Sequence, residues 1–370
     1  MKSGQVVSAD QFGQLLMDGS PLIDLRAPLE FNEGAFPAAQ NLWLMTDEER
    51  AQVGTCYKRL GHDAAVALGH KLVNGDTRAR RLQRWISQLE HAPSTQIYCF
   101  RGGQRSEIAQ QWLADVGFHV PRIEGGYKAL RRFMISSLSR LSQQQSILIL
   151  GGLAGSGKTD LLAELPASLD LEGFANHRGS AFGRRVAGHP TPINFEHALT
   201  IAWLQLERRG YTGIVTEDES RTIGRLALPQ SFWQALMTSP IAVVEESLES
   251  RIRRIIRDYV ERNLADWLAQ DPERGFEQFS SELLASLARV EKRLGGVRFK
   301  EMQTAMQTAL KHQGSSGSTA EHESWVRPLL TDYYDPMYAY QLAKKQDRII
   351  YRGSADQVAQ YCRAASSNAL

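Results

Sequence analysis

The sequence predicts an α/β protein in two parts. Each part is a parallel sheet with helices, and the second, a P-loop NTPase-like α/β domain, carries a helical C-terminal extension. Three observations support this. Short apolar runs alternate with helical periodicities through both halves, the pattern of parallel sheets. One run, Gln96–Cys99, ends in a cysteine ahead of a glycine pair and a helix start. Another, Ile147–Leu150, leads directly into Gly152-Leu153-Ala154-Gly155-Ser156-Gly157-Lys158-Thr159, the spacing of a phosphate loop. A length of 370 residues favours two domains. The expected boundaries are 1–138, a polar Ser/Gln-rich linker at 139–146, and 147–370.

The totals narrow the class. Hydrophobic residues at 42% and charged residues at 23% are those of a soluble globular protein. A net charge of +2 does not by itself mark a nucleic-acid binder, so local clusters must carry that argument. Three cysteines, Cys56, Cys99 and Cys362, argue against a disulfide framework or a four-cysteine zinc site. No resident metal cluster is expected, and only Mg²⁺ at a phosphate site is left open. No apolar run approaches a membrane span and the N-terminus has no apolar signal core, so a cytoplasmic protein is expected.

In the first part, Ser8 caps a helix over 9–17, followed by a buried strand through Leu22-Ile23-Asp24-Leu25. Residues 30–42 read as a turn leading to a short strand. A helical stretch over 63–90 is interrupted near Asn74-Gly75. The Cys99 strand and its loop follow, then a helix over 106–116. Ile123-Glu124-Gly125-Gly126-Tyr127 is a strand and turn before a helix over 128–138. Asp24 and Arg26 read equally well as a catalytic pair and as a salt-bridged strand end.

The cysteine loop carries the chemistry. Gly102 and Gly103 let the backbone turn so that several N–H groups face inward, and the helix start adds positive charge. Such a ring favours a thiolate at Cys99 and holds an oxyanion against it. Arg101, Gly102, Gly103, Gln104, Arg105 and Ser106 are the candidate loop. Arg105, at the helix start, is the preferred clamp.

In the second part, the amides from Gly155 to Thr159, after Gly152, would wrap a diphosphate. Lys158 adds charge, and Thr159 is a candidate Mg²⁺ ligand. Strands at 211–215 and 241–244 extend the sheet, with crossover helices over 194–209 and 230–237. Glu217 or Asp218 takes the place of a metal-side acid after the second strand, unless that loop is merely solvated. The irregular loop 171–183 offers His177, Arg178 and Ser180 as substrate contacts. From Ser247 the pattern is helical. Arg253, Arg254 and Arg257, then Lys292 and Arg293, form basic faces that can track a polyanion, although such helices are often only solvated. A flexible break is expected at 312–319. Tyr333, Tyr334, Tyr338 and Tyr340 read either as base-stacking residues or as core.

Asp24-Leu25-Arg26, Glu30-Phe31, Gly34-Ala35-Phe36-Pro37, the cysteine loop and Glu124-Gly125-Gly126 resemble a rhodanese domain, whose nucleophile maps onto Cys99. Rhodanese loops usually place arginine after four residues, whereas here five separate Cys99 from Arg105. The wider ring suits a tetrahedral phosphate-like anion, and rhodanese-like phosphatases share it. Joined to the phosphate loop, Asn176-His177-Arg178-Gly179-Ser180, Glu217-Asp218-Glu219-Ser220-Arg221 and Leu294-Gly295-Gly296, the whole resembles the bacterial tRNA 2-selenouridine synthase family. That resemblance implies two reactions on the wobble 2-thiouridine of tRNA: S-geranylation by geranyl diphosphate, then replacement of the geranylthiol by selenium from selenophosphate. It implies no tightly bound cofactor. Selenophosphate is expected at the Cys99 ring, geranyl diphosphate at the phosphate loop, and tRNA on the basic helices. The competing readings are a rhodanese-fold phosphatase or sulfurtransferase fused to an ATP-dependent kinase, and an RNA-binding protein with vestigial pockets.

Overall fold

A computed structural model describes residues 4–367, with side chains to residue 364. The chain forms two units. One comprises the residues up to Leu141 together with Thr191–Gln205, and the other comprises Ser142–Pro190 and the residues from Leu206.

In the first unit, β1 (Val6–Val7), β2 (Leu22–Asp24), β3 (Ala39–Asn41), β4 (Gln96–Tyr98) and β5 (Arg122–Ile123) form a parallel sheet of order β1-β5-β4-β2-β3. Successive strand residues face opposite sides. Leu22 and Tyr98 pack with Phe12, Leu130 and Met134, while Ile23 and Ile97 pack with Trp85, Leu89 and Leu113. Both faces are therefore buried, which explains the unbroken apolar runs. β4 lies inside the sheet, so its C-terminal end, where Cys99 follows, opens between neighbouring strands.

Several elements differ from expectation. The polar segment at 139–146, within which the two units divide, is not irregular: helix Gly126–Gln144 runs through it, and β6 (Ser146–Gly152) begins two residues later. Leu130, Met134, Leu138 and Leu141 keep a buried stripe at helical spacing, so periodicity overrides the Ser/Gln composition. The turn expected from Glu30 contains helix Pro28–Glu33. Helix Asp47–Leu60, unread in the sequence, buries none of its residues and so shows no apolar stripe. The expected interruption near Asn74 does separate helices His62–Leu72 and Gly75–His91. Helix Pro192–Arg208, expected as a P-loop crossover, lends Thr191–Gln205 to the first unit. There Asn194 Oδ1 accepts the Ala35 N–H at 2.8 Å, and the His197 ring stacks on Phe36 at 4.3 Å.

In the second unit, β6, β7 (Ser168–Leu169), β8 (Gly213–Glu217), β11 (Ile241–Val244) and β12 (Ile349–Gly353) form a parallel sheet of order β12-β11-β6-β8-β7. A small antiparallel pair, β9 (Thr222–Ile223) and β10 (Leu226–Ala227), stands apart from it. A helical core follows, built around Phe279, Met306 and Trp325. The break expected at 312–319 is mostly helix, because Gly296–Ser316 continues through it. Gln313 is buried there, its Oε1 2.8 Å from His322 Nε2.

His322 yields a pH prediction. Trp325 Nε1–H donates to His322 Nδ1 at 2.9 Å, and Nε2 pairs with Gln313, so the neutral ring is fully satisfied. Burial lowers its pKa to about 4; burial, opposed by the Ala35 carbonyl, does the same to His197. These folded-state values lie below the unfolded value near 6.5, so the unfolded chain binds more protons between the two. The stabilisation is present above pH ~6.5 and is lost as pH falls toward ~4, on the order of 2–3 kcal/mol for His322. Urea unfolding midpoints should fall across this window, and His322→Gln should flatten the fall. An unchanged slope in the variant would remove His322 as its source.

Two candidate anion sites

The first site is the loop after β4. Cys99 is 3% exposed, with Sγ 3.4 Å from Ser106 Oγ and 3.8 Å from Gly103 O. The loop then enters helix Gln104–Asp115. Among the described residues, the backbone N–H groups from Phe100 to Arg105 have no protein acceptor, whereas the Cys99 and Phe100 carbonyls accept from Tyr127 and Lys128. Six consecutive unpaired amides beside a sulfur at a helix start form a cradle for an anion. The segment Gly125-Gly126 supports this loop from below. Gly102 has φ +62° and Gly126 φ +57°, and a Cβ at Gly126 would fall on Cys99 O and Gly102 N.

Gly126→Ala is therefore expected to cost about 2–4 kcal/mol, through left-handed strain plus backbone collision. Denaturant unfolding of the intact chain measures this. Retention of wild-type stability would show that the two backbones are not in close contact.

The arginines of this loop divide differently from the expectation. Arg105 was the preferred clamp, but its Nη1 and Nη2 bind Glu30 Oε2 and Oε1 at 2.7 and 3.2 Å. Burial opposes the Glu30 charge, but Arg105, the Ala27 N–H and Arg50 hold its pKa below the usual value. Sequence position alone could not show this partner, 75 residues away. Arg101 is exposed and has no partner among the described residues, so it is free to meet an anion. Asp24 and Arg26 form a buried bidentate pair under the sheet edge, with the Arg26 guanidinium 3.7 Å from the Tyr127 ring centre. They serve as the salt-bridged strand end of the two readings.

The second site is the phosphate loop between β6 and helix Lys158–Glu164. Gly155 and Gly157 have φ +76° and +87°. The Gly155 position lies against the Arg251 carbonyl, and the Arg254 guanidinium lies over Gly157. Lys158 Nζ reaches the Gly152 and Leu153 carbonyls at 3.2 Å each. Ser156 is 1% exposed and its Oγ has no hydrogen-bond partner among the described residues, which suits a ligand acceptor oxygen. A cavity of about 500 Å³ opens from this loop. One part is polar, with Lys158, Glu172, Arg178, Glu219 and Arg254, and the other is apolar, with Phe182, Trp325, Val326, Leu329 and Leu330.

Electrostatics temper the acids around Lys158. Burial, then Glu172, pushes Glu219 up to about 8. Burial likewise raises Glu172, and raises Glu217 well above the usual carboxylate range. Burial lowers Lys158, against the pull of these carboxylates. Glu217 is 2% exposed, and its Oε2 accepts the Leu171 N–H at 3.0 Å. Asp218 is bound by Lys345 at 2.6 Å. Glu217 is thus buried with its charged form disfavoured, and Asp218 is ion-paired with Lys345, so neither is a free carboxylate at the strand end. Thr159 remains exposed at the loop. Lys158, Arg178 and Arg254 are among the cationic side chains that line the cavity beside the loop.

Other candidates fall where sequence spacing could not place them. Arg178 and Ser180 line the cavity. His177 does not; its ring stacks on His189 at 4.8 Å, and burial lowers its pKa to about 4. Arg254 donates to Gly155 O at 2.9 Å, and Arg257 binds Asp160 at 2.7 Å, so both belong to the phosphate loop surroundings rather than to an open basic face. Arg253 bonds only Ser250 Oγ at 3.1 Å and stays exposed, as does Lys292, while Arg293 meets Tyr333 Oη at 3.2 Å. The sequence reading missed Glu219, Tyr259 and the apolar wall. The wall's signal was present in Val326, Leu330, Tyr334 and Tyr338, each four residues apart.

An anion cradle armed with a cysteine, and a separate phosphate loop opening on a half-apolar cavity, define a rhodanese-like domain fused to a P-loop domain. Family models agree: the rhodanese-like domain matches residues 8–132, and the tRNA 2-selenouridine synthase AAA domain matches residues 145–369. The chain is 48% identical over 368 residues to a tRNA 2-selenouridine synthase of Hahella chejuensis, covering 98% of this chain and 96% of that protein. It is 49% identical over 352 residues to that of Photobacterium profundum, covering 95% and 96%, and 46% identical over 358 residues to that of Cupriavidus pinatubonensis, covering 96% and 98%. The chain belongs to the tRNA 2-selenouridine synthase family. Among the described residues, no helix is long and apolar enough to cross a membrane.

Proposed function

We propose that the protein converts wobble 2-thiouridine of tRNA to 2-selenouridine in two steps. In the first, the thiouridine sulfur attacks C1 of geranyl diphosphate. The C–O bond breaks, diphosphate leaves, and the N3 proton is released. Lys158, Arg178, Arg254 and the Gly155–Thr159 amides take up the charge developing on the diphosphate. In the second, water attacks the phosphorus of selenophosphate, the Se–P bond breaks, orthophosphate leaves and selenium is released at the selenide level. Selenium adds at C2 and geranylthiolate departs, a better leaving group than sulfide. Selenophosphate sits on the Phe100–Arg105 amides beside Cys99, with Arg101 as the mobile cation and Arg105 fixing the loop through Glu30. Exposed Arg253 and Lys292 are among the basic side chains available to tRNA.

The observation that carries this reading is the cavity itself: a phosphate loop that continues into Phe182, Trp325, Leu329 and Leu330. A nucleotide base and ribose need polar partners, whereas an isoprenoid chain needs this apolar surface. The intact protein, incubated with 2-thiouridine tRNA and geranyl diphosphate alone, should yield a geranylated nucleoside by mass spectrometry. Added selenophosphate should convert it to 2-selenouridine. ATP turnover without tRNA, and no geranylated nucleoside, would favour the kinase fusion instead.

A further inference from the structure

The inference rests on the prenyl diphosphate reading above and concerns what limits the length of the chain. One wall of the cavity is a single continuous helical run: Glu323–Leu329, the π-helical turn Leu330–Tyr334, and Asp335–Ala343. Val326, Leu330, Tyr334 and Tyr338 lie four residues apart on it, and all four line the cavity. The Tyr338 end is fixed to the phosphate loop, because Lys158 Nζ lies 5.8 Å from its ring centre. At roughly 1.5 Å of rise per residue, Leu330 is about 12 Å and Val326 about 18 Å from Tyr338 along the axis.

Burial gives this wall a direction. Val326 is 0% exposed and Leu330 2%, and both belong to the apolar core that backs the wall. Arg262, Ala265 and Asp266 also border the cavity, but they are exposed and form its rim. The lining also includes Tyr259, within a second π-helical turn, Ile256–Glu261. Such turns reshape a helix face and gather at functional sites. A chain whose diphosphate is held at Lys158 therefore runs along Tyr338 and Tyr334 and meets Leu330 first, then Val326.

We infer that Leu330 and Val326 form the stop that sets prenyl chain length, admitting two isoprene units and rejecting a third. They are specificity-determining residues and take no part in the chemistry.

The test is a competition. The intact protein and 2-thiouridine tRNA are offered dimethylallyl, geranyl and farnesyl diphosphates together, and the alkylated nucleosides are counted by mass spectrometry. Product ratios do not depend on how much of a variant is folded. The wild type should transfer geranyl predominantly. Val326→Ala and Leu330→Ala should raise the farnesyl-to-geranyl ratio at least about tenfold, the scale of discrimination that a lost apolar contact provides. Leu330→Phe should shift the ratio toward dimethylallyl. Active variants with ratios within about twofold of wild type would overturn the stop while leaving geranylation standing. A wild-type protein that transfers none of the three would overturn the diphosphate reading and the stop with it. The milder Val326→Ala decides the matter if Leu330→Ala does not fold.

Discussion

Cys99→Ser is expected to stop 2-selenouridine formation, lowering it at least about 10³-fold, because the group beside the selenium donor is lost. The fold should survive. Serine is nearly isosteric, and the sulfur makes only two weak polar contacts, to Ser106 Oγ and Gly103 O. Under the proposed division of donors, geranylation draws on the phosphate-loop cavity, so the variant should accumulate the geranylated nucleoside when both donors are supplied. Mass spectrometry of digested tRNA reads both species. Continued selenation with loss of geranylation would reverse the assignment of donors to pockets.

Lys158→Ala should have the complementary effect. Removing one preorganised cation from a leaving diphosphate costs roughly 10²–10³-fold in the transfer step. The ammonium is compact and lies 3.2 Å from two loop carbonyls, so the planar guanidinium of Lys158→Arg should not restore the rate. The decisive measurement supplies tRNA that already carries the geranyl group. Lys158→Ala should selenate it at nearly the wild-type rate, and Cys99→Ser should not. If both variants fail on that substrate, the two steps share machinery.

Much of the chemistry was legible locally. Cysteine, glycine pair and helix start are consecutive in the chain, and so are the residues of the phosphate loop, because a cradle of backbone amides is built from neighbouring peptides. Strand runs at 22–25, 96–99, 147–150 and 241–244 were legible for the same reason: burial on both faces leaves no polar residue to break the pattern. Composition misled at 139–146, where a buried leucine stripe outweighs the serines and glutamines. Helix Asp47–Leu60 stayed hidden because nothing in it is buried, so it has no stripe to read.

What lay outside the sequence were the partners of long side chains. Arg105 and Arg254 looked free, and each is bound: Arg105 to Glu30, Arg254 to the Gly155 carbonyl. Arg101, the less favoured of the two loop arginines, is the exposed one. Glu217 and Asp218 looked available to a metal, and burial and Lys345 occupy them. The apolar half of the cavity joins Phe182 to a wall more than a hundred residues further along the chain, so no local pattern marks it.

The sequence by itself determined both candidate anion loops and the sheets that present them, since each depends on dihedral freedom, hydrogen-bonding groups and periodicity within a dozen residues. Only the tertiary structure decided which charges remain free and how far the second pocket extends. Both depend on groups distant in sequence meeting in space, and ion pairing and burial are set by that meeting rather than by order along the chain.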